Sequence, residues 1–128
     1  MSVSIDSETL HELDAIQRKL GFKSRSKLLR NAVLHMLQEY GTLDKLSGNV
    51  ESIFVLKYRT SEKNRVSDTL HMFEDSIRTE LHQHSAGTCI DVLDIRTSAD
   101  NTRALFATLK RSRCIHSVTC TVINGTPE

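Results

Sequence analysis

Long apolar runs are missing from this 128-residue sequence, whose uninterrupted apolar stretches are only a few residues each. A membrane-spanning helix needs roughly 20 consecutive apolar residues, so we expect none, and no membrane partner. The opening residues are polar and acidic, without a basic region followed by an apolar core, which excludes a secretory signal peptide. We therefore expect a cytoplasmic protein.

Cysteine is scarce as well. The three cysteines, Cys89, Cys114 and Cys120, are an odd number without the spacing of a disulfide framework. Reduced thiols, one of them available as a metal ligand, fit this pattern better than a bridge. No nucleophile paired with a base and no phosphate-binding loop stands out, so we do not expect an enzyme.

The near absence of net charge conceals a local basic segment. The formal net charge is +1, which argues against a nucleic-acid-binding protein if the charges are evenly spread. Residues 18–30, however, hold six basic side chains and no acidic one. A basic patch of this kind is typical of a surface that contacts phosphates.

The first 40 residues predict one strand and two helices. Apolar and polar residues alternate over 1–6, which favours a strand, and apolar residues at helical spacing follow up to Gly21. Asp6 or Ser7 can cap this helix, and Ser24 can cap a second helix that fades at 40–41. A unit this small has no partner for its strand and buries little surface alone. An intertwined dimer, in which two copies of the strand pair antiparallel, solves both problems.

The remainder of the chain predicts a second kind of domain. Residues 41–50 contain two glycines and no periodicity, so we read them as a linker between domains at 1–40 and 51–128. Beyond it, strands are predicted at 52–59, 77–84, 89–96 and 114–123, and helices at 61–76 and 98–112. The order βαββαβ is that of the ferredoxin-like fold, whose small regulatory version is the ACT-like domain. The predicted fold class is therefore α+β.

The N-terminal unit resembles the ribbon-helix-helix family of DNA-binding proteins. That resemblance implies a homodimer whose two-stranded ribbon enters the major groove of operator DNA, with Ser2 and Ser4 against the base edges. The start of the second helix offers free backbone N–H groups to a phosphate, with basic side chains nearby. The predicted DNA-binding residues are Ser2, Ser4, Lys23, Ser24, Arg25, Ser26, Lys27 and Arg30.

Three potential metal ligands converge in the C-terminal unit. Residues i and i+2 of a strand point to the same side, so His82 and His84 share a face. A tight turn at 85–88 brings Cys89, at the start of the next strand, alongside them. His71 lies on the preceding helix, from which it can join the other three across a subunit interface. Imidazoles and a thiolate suit late first-row divalent ions: nickel or copper in tetragonal geometry, zinc in tetrahedral geometry.

Residues 70–89 resemble the metal site of the nickel-responsive repressors, the NikR family, which joins a ribbon-helix-helix domain to an ACT-like domain. The resemblance implies that His71, His82, His84 and Cys89 bind one Ni(II) per subunit in square-planar geometry. It further implies that a neighbouring subunit of a homotetramer donates His71, and that the protein represses nickel-uptake genes. The loop between His84 and Cys89 is one residue shorter than the usual spacing of the family.

Alternative interpretations stay open. The same site can serve copper, cobalt or zinc, and a small organic effector can bind between ACT-like domains instead. An antitoxin-like protein-interaction module is disfavoured, because such modules usually continue into a disordered tail and a folded domain follows here. Cys114, His116 and Cys120 share one face of the last strand. We interpret the two cysteines as core residues, with a secondary metal site as the alternative.

Overall fold

The computed structural model describes residues 2–127, so Met1, the first residue of the predicted N-terminal strand, and Glu128 lie outside the described residues. The chain divides into two compact units, unit 1 at residues 1–40 and unit 2 at residues 41–128. The helices are α1 (Ser7–Leu20), α2 (Arg25–Asp44), α3 (Lys63–His71) and α4 (Ala99–Arg111), and the strands are β1 (Leu46–Arg59), β2 (Ile77–Ser85), β3 (Thr88–Ser98) and β4 (Ile115–Pro127). None of the helices within residues 2–127 is long and apolar enough to span a membrane.

The helix ends in unit 1 are set by local side-chain chemistry. The Asp6 carboxylate accepts a hydrogen bond from the Thr9 backbone N–H at 2.7 Å and so caps α1. Gly21 ends the helix in the left-handed conformation, with φ of 76°. The Ser24 hydroxyl accepts from the Lys27 backbone N–H at 3.2 Å at the start of α2. All three predicted helix signals are confirmed.

Unit 1 buries very little of its own apolar surface. Among its described residues only Leu28 is buried, while Leu37, for example, is 60% exposed. Residues 2–6 form no strand in the single chain, although a strand was predicted there. A lone strand has no ladder partner, so pairing of this segment requires a second chain. The single chain thus leaves exposed the apolar stripe that the predicted dimer would cover.

Unit 2 is a four-stranded antiparallel sheet in the order β2-β3-β1-β4, with α3 and α4 packed on one face, here called the inner face. The order βαββαβ is therefore confirmed, and with it the α+β, ferredoxin-like architecture of ACT-like domains. Phe54 of β1 and Phe106 of α4 meet edge to face in the core, with ring centroids 6.4 Å apart. Val66 and Leu70 of α3 join the same cluster.

The predicted linker is absent from the structure. The helix α2 continues to Asp44 and β1 begins at Leu46, so residues 41–50 are mostly regular structure. Leu43 and Leu46 explain the difference, because both are buried in the core of unit 2. Their burial outweighs the roughly 1 kcal/mol by which a glycine such as Gly41 disfavours a helix interior.

The helix α3 is shorter than the sequence predicts. It ends at His71, and short 3₁₀ turns at Thr60–Glu62 and Glu74–Ser76 occupy the two ends of the predicted span. A register shift between Ile77 and Thr79 marks a bulge at the start of β2. Beyond this bulge Leu81 lies on the outer face and is 63% exposed.

Replacement of Phe54 tests the core of unit 2. Phe54→Ala removes a fully buried ring and its contact with Phe106, and is expected to lower the free energy of unfolding by about 3–5 kcal/mol. Chemical denaturation followed by circular dichroism, at one fixed protein concentration without metal, measures the change. Lys57→Ala, at an exposed position of the same strand, is the control and should change stability by less than about 0.5 kcal/mol. Equal effects of the two substitutions would contradict this account of the core.

Candidate metal centre

The hairpin of β2 and β3 organises the predicted ligands. Its two-residue turn has positive φ at both positions, 49° at Ala86 and 80° at Gly87, as the twist of a tight hairpin requires. Directly across the hairpin His84 pairs with Cys89, and His82 pairs with Asp91. Both β3 partners are buried on the inner face, so the two histidines lie on that face as well. The tight turn and the shared face of the histidines are as predicted.

His84 and Cys89 form the closest pair of predicted ligands. The His84 Nδ1 lies 3.8 Å from the Cys89 Sγ. The Thr60 hydroxyl, directly after β1, lies 3.0 Å from the same Nδ1 and 3.7 Å from the Sγ. A borderline-soft nitrogen donor and a soft sulfur donor therefore face one another, beside a hydroxyl that can orient them.

His82 is held by a buried carboxylate. Its Nδ1 lies 2.5 Å from Asp91 Oδ1, and the Tyr58 hydroxyl donates to Asp91 Oδ2 at 2.7 Å. Asp91 is only 2% exposed, and a carboxylate buried to this degree needs such donors to offset its lost hydration. Since an ionised carboxylate can only accept, a neutral His82 imidazole that donates to Asp91 through Nδ1 would leave the Nε2 lone pair for a metal. Imidazoles that ligate metals are commonly oriented in this way.

The Tyr58 hydroxyl remains a hydrogen-bond donor to Asp91. Burial, and next the hydrogen bond to Asp91, raise the pKa of the Tyr58 phenol well above its usual range. The hydroxyl therefore keeps its proton throughout the physiological range. A buried donor that stays protonated holds the Asp91 carboxylate in one orientation.

His71, the predicted fourth ligand, stands apart from the other three. It is exposed at the end of α3, with its Nδ1 3.0 Å from Glu74 Oε2. It lines the same open cavity of about 640 Å³ as His82 and Asp91. Within residues 2–127 no three His, Cys, Asp or Glu side chains are close enough together to hold a metal ion. The single chain thus brings His84 and Cys89 together, and the complete four-ligand set stays a prediction.

Sequence reasoning missed Asp91, Tyr58 and Thr60. Asp91 was detectable, because it occupies an inner position of the predicted strand, two residues after Cys89, where an apolar residue is expected. Tyr58 and Thr60 were not, because their proximity depends on the pairing of β1 with β3, in which Tyr58 lies opposite Cys89. Local patterns do not specify such long-range register.

The last strand, β4, begins at Ile115, one residue after Cys114, and runs to Pro127, four residues beyond its predicted end. Cys114 and Cys120 pack against the core as partly buried side chains, whereas His116 is exposed. The Cys114 Sγ accepts a hydrogen bond from Arg65 Nη1 at 3.9 Å, and this contact raises the pKa of Arg65. In the part of the chain that the structure describes, these three residues form no metal-binding cluster.

Unit 1 displays the predicted DNA-binding side chains. Ser2, Ser4, Lys23, Arg25, Ser26, Lys27 and Arg30 are exposed, and Ser24 is half-buried as the cap of α2. Arg25 is already engaged, since its Nε and Nη2 donate to the two carboxylate oxygens of Asp14 at 3.0 and 2.9 Å. This fork-like hydrogen bonding lowers the pKa of Asp14 and raises that of Arg25. Arg25 therefore ties α2 to α1, a contact that the sequence pattern did not reveal.

The phenol of Tyr58 gives a direct test of the buried network. Because its pKa is raised, its contribution to the free energy of unfolding is fully present below about pH 10 and is lost as the pH rises further. We expect Tyr58→Phe to remove a phenolate absorbance step near pH 10 from the unfolded protein but none from the folded protein. An ultraviolet pH titration with and without concentrated guanidinium chloride measures both. If the phenolate step near pH 10 were smaller in the folded variant than in the folded wild type, Tyr58 would be titrating in the folded state, and the buried hydrogen bond would be disproved.

Comparison with known proteins agrees with this division of the chain. Residues 1–40 match the family model of ribbon-helix-helix proteins of the copG family. The whole chain is 24% identical over 125 residues to a protein of Methanothermobacter thermautotrophicus provisionally named nickel-responsive regulator 2, covering 94% of this chain and 89% of that protein. A Dictyoglomus turgidum protein with a similar provisional name is 28% identical over 109 residues, covering 81% and 79% of the two chains.

A solved structure has a similar fold over part of this chain. An uncharacterized protein from Thermotoga maritima superposes with a TM-score of 0.55 at 18% identity, over 60% of this chain and 100% of its own. At that identity the likeness concerns the fold alone. The sequence similarities point to a regulator and away from an enzyme. Residues 1–40 thus match the ribbon-helix-helix model, and the chain is similar, over most of its length, to proteins provisionally named nickel-responsive regulators.

Proposed function

We propose that this protein is a metal-responsive transcriptional regulator, a repressor that binds operator DNA in the cytoplasm when nickel is bound. The observation that carries the proposal is the β2–β3 hairpin. It places His84 opposite Cys89 and His82 on the same face, in a chain that resembles nickel-responsive regulators and begins with a ribbon-helix-helix segment.

The donor set fits a late first-row divalent ion. His84 and Cys89 supply nitrogen and sulfur donors within 3.8 Å of one another, and His82 offers an Nε2 whose ring orientation Asp91 fixes. His71 has its Nδ1 paired with Glu74, which leaves its Nε2 available. In this proposal His82, His84 and Cys89 of one subunit and His71 of a neighbouring subunit hold one ion. When bound, the ion would stabilise the Cys89 thiolate and link two chains.

The DNA-binding part of the proposal rests on unit 1. Its exposed basic side chains Lys23, Lys27 and Arg30 surround the N-terminus of α2, where backbone N–H groups favour a phosphate. In this proposal Ser2 and Ser4, which are exposed, would meet base edges once two copies of residues 1–6 pair as a ribbon. Arg25 would then act by fixing α2 against α1 through Asp14, as well as by its charge.

Coupling between metal and DNA requires an assembly. The exposed apolar side chains of α1 and α2 support a homodimer through unit 1. A metal ion shared between subunits would link such dimers into a homotetramer through unit 2. Metal acts in such an assembly by favouring the arrangement that fits DNA over the arrangements that do not. The resulting coupling free energy must appear equally as tighter metal binding in the presence of operator DNA.

The role of Cys89 is tested by nickel titration. Wild-type protein is expected to develop a thiolate-to-nickel charge-transfer band, and Cys89→Ala should show none because the sulfur ligand is gone. Cys120→Ala, which removes a thiol outside the proposed site, is the matched control and should retain the band. A Cys89→Ala variant that binds nickel with unchanged spectrum and affinity would refute the assignment.

Metal identity is tested by gel shift. We expect nickel to tighten binding to the region upstream of the protein's own gene by roughly fivefold or more, the usual scale of allosteric coupling. Copper, cobalt and zinc are compared at equal free concentrations. A stronger response to one of these ions would replace nickel in the proposal while keeping the site. DNA binding indifferent to every metal would exclude a metal-responsive regulator.

A further inference from the structure

The guanidinium of Arg103 joins helix α4 to the end of helix α2. Its Nη1 donates hydrogen bonds to the backbone carbonyls of Leu43 and Leu46, both at 2.9 Å. Its Nη2 donates to Asp100 Oδ1 at 2.6 Å. The Arg103 side chain is 24% exposed, so most of it is withdrawn from water. All four residues belong to unit 2.

The C-terminal end of α2 favours a nearby cation. The last carbonyls of a helix lack intrahelical partners, and the helix dipole favours positive charge there. The last turn of α2 contains no basic residue. Arg103 reaches this turn from a different helix and bonds one carbonyl within the turn and one just beyond it, at the start of β1. It therefore acts as a tertiary cap over the junction of α2 and β1.

The helix α4, which carries Arg103, is held in place by its N-terminal cap and by its core contacts. Ser98 caps α4 by accepting from the Asn101 backbone N–H at 3.1 Å, and the Thr102 hydroxyl donates back to the Ser98 carbonyl at 2.9 Å. Leu105 and Phe106, on the next turn of α4, are buried in the core. On the other side of the contact, Leu43 and Leu46 are buried as well. Both partners of the cap are thus fixed by packing.

We propose that Arg103 is a positioning residue that couples unit 2 to the DNA-binding helix, by holding the last turn of α2 on α4. The inference rests on the proposed function, since it needs metal in unit 2 to affect DNA binding through unit 1. The capped turn and the predicted phosphate-contacting residues at the start of α2 belong to one continuous helix, Arg25–Asp44.

The test compares Arg103→Met with Arg111→Met in the full-length protein. Methionine keeps the aliphatic stem and removes the guanidinium, and the partner Asp100 is 91% exposed, so no buried charge is left unpaired. Arg111, exposed near the end of α4, is the matched control. Two quantities are measured: amide hydrogen exchange of residues 41–47, and the nickel-induced gain in affinity for DNA in the gel shift. The nickel charge-transfer titration verifies that unit 2 is intact.

For Arg103→Met we expect exchange of residues 41–47 to speed up by roughly tenfold, as loss of charge-assisted hydrogen bonds implies. We expect the nickel-induced gain in DNA affinity to fall by roughly fivefold or more, with nickel binding retained. Arg111→Met should match the wild type in amide exchange of residues 41–47 and in the nickel-induced gain. If the cap is merely structural, its loss in Arg103→Met would speed exchange without changing the nickel-induced gain, and that result would overturn the proposal. Unchanged exchange in Arg103→Met would overturn it as well.

A second variant keeps the test decisive if Arg103→Met does not fold. Arg103→Lys retains the charge, but all its N–H donors sit on one nitrogen and cannot reach every partner of the guanidinium. It should therefore keep part of the protection from exchange and part of the nickel-induced gain. A lysine variant that is fully protected but has lost the gain would overturn the proposal. If the wild type itself shows no nickel-induced gain, the proposed function fails and the coupling role with it. The exchange measurement still decides whether Arg103 restrains α2.

Discussion

The register between β2 and β3 is the constraint on which the candidate metal centre depends. Side chains alternate across a strand, so a slip of one residue would move His82 and His84 to the outer face and Leu81 to the inner face. Two features prevent such a slip: the bulge between Ile77 and Thr79, and the two-residue turn at Ala86 and Gly87. The backbone geometry of the hairpin therefore determines which side chains face the candidate site.

The polar end of the inner face follows from the early end of α3. Over most of the sheet the helices cover apolar side chains such as Phe54 and Leu93, which are fully buried. Beyond His71 the helix gives way to a 3₁₀ turn, and the edge strand β2 is exposed at every position after Ile77. Asp91, Tyr58 and His82 occupy this opening as a connected hydrogen-bonded group. An edge strand with polar side chains is also accessible to a neighbouring chain, as a ligand shared between subunits requires.

The sequence predicted those features that local chemistry determines. Caps at Asp6 and Ser24, the stop at Gly21 and the turn after Ser85 each depend on residues within a few positions. The predicted linker at 41–50 was wrong because the helix there is stabilised by burial of Leu43, a tertiary effect that local propensity does not contain. The contacts of Asp91 with Tyr58 and of Arg103 with Leu43 connect residues 33 and 60 positions apart. Such pairs become neighbours only through the fold, and no spacing along the chain identifies them.

The exposed apolar faces of α1 and α2 have a consequence for the amount of protein in the cell. Residues 2–40 bury a single side chain, so most of the stability of this unit would come from association, and association obeys mass action. At low abundance the population of dimers would then fall more steeply than the number of chains. In the proposed regulator, expression level would therefore be a second input beside the metal.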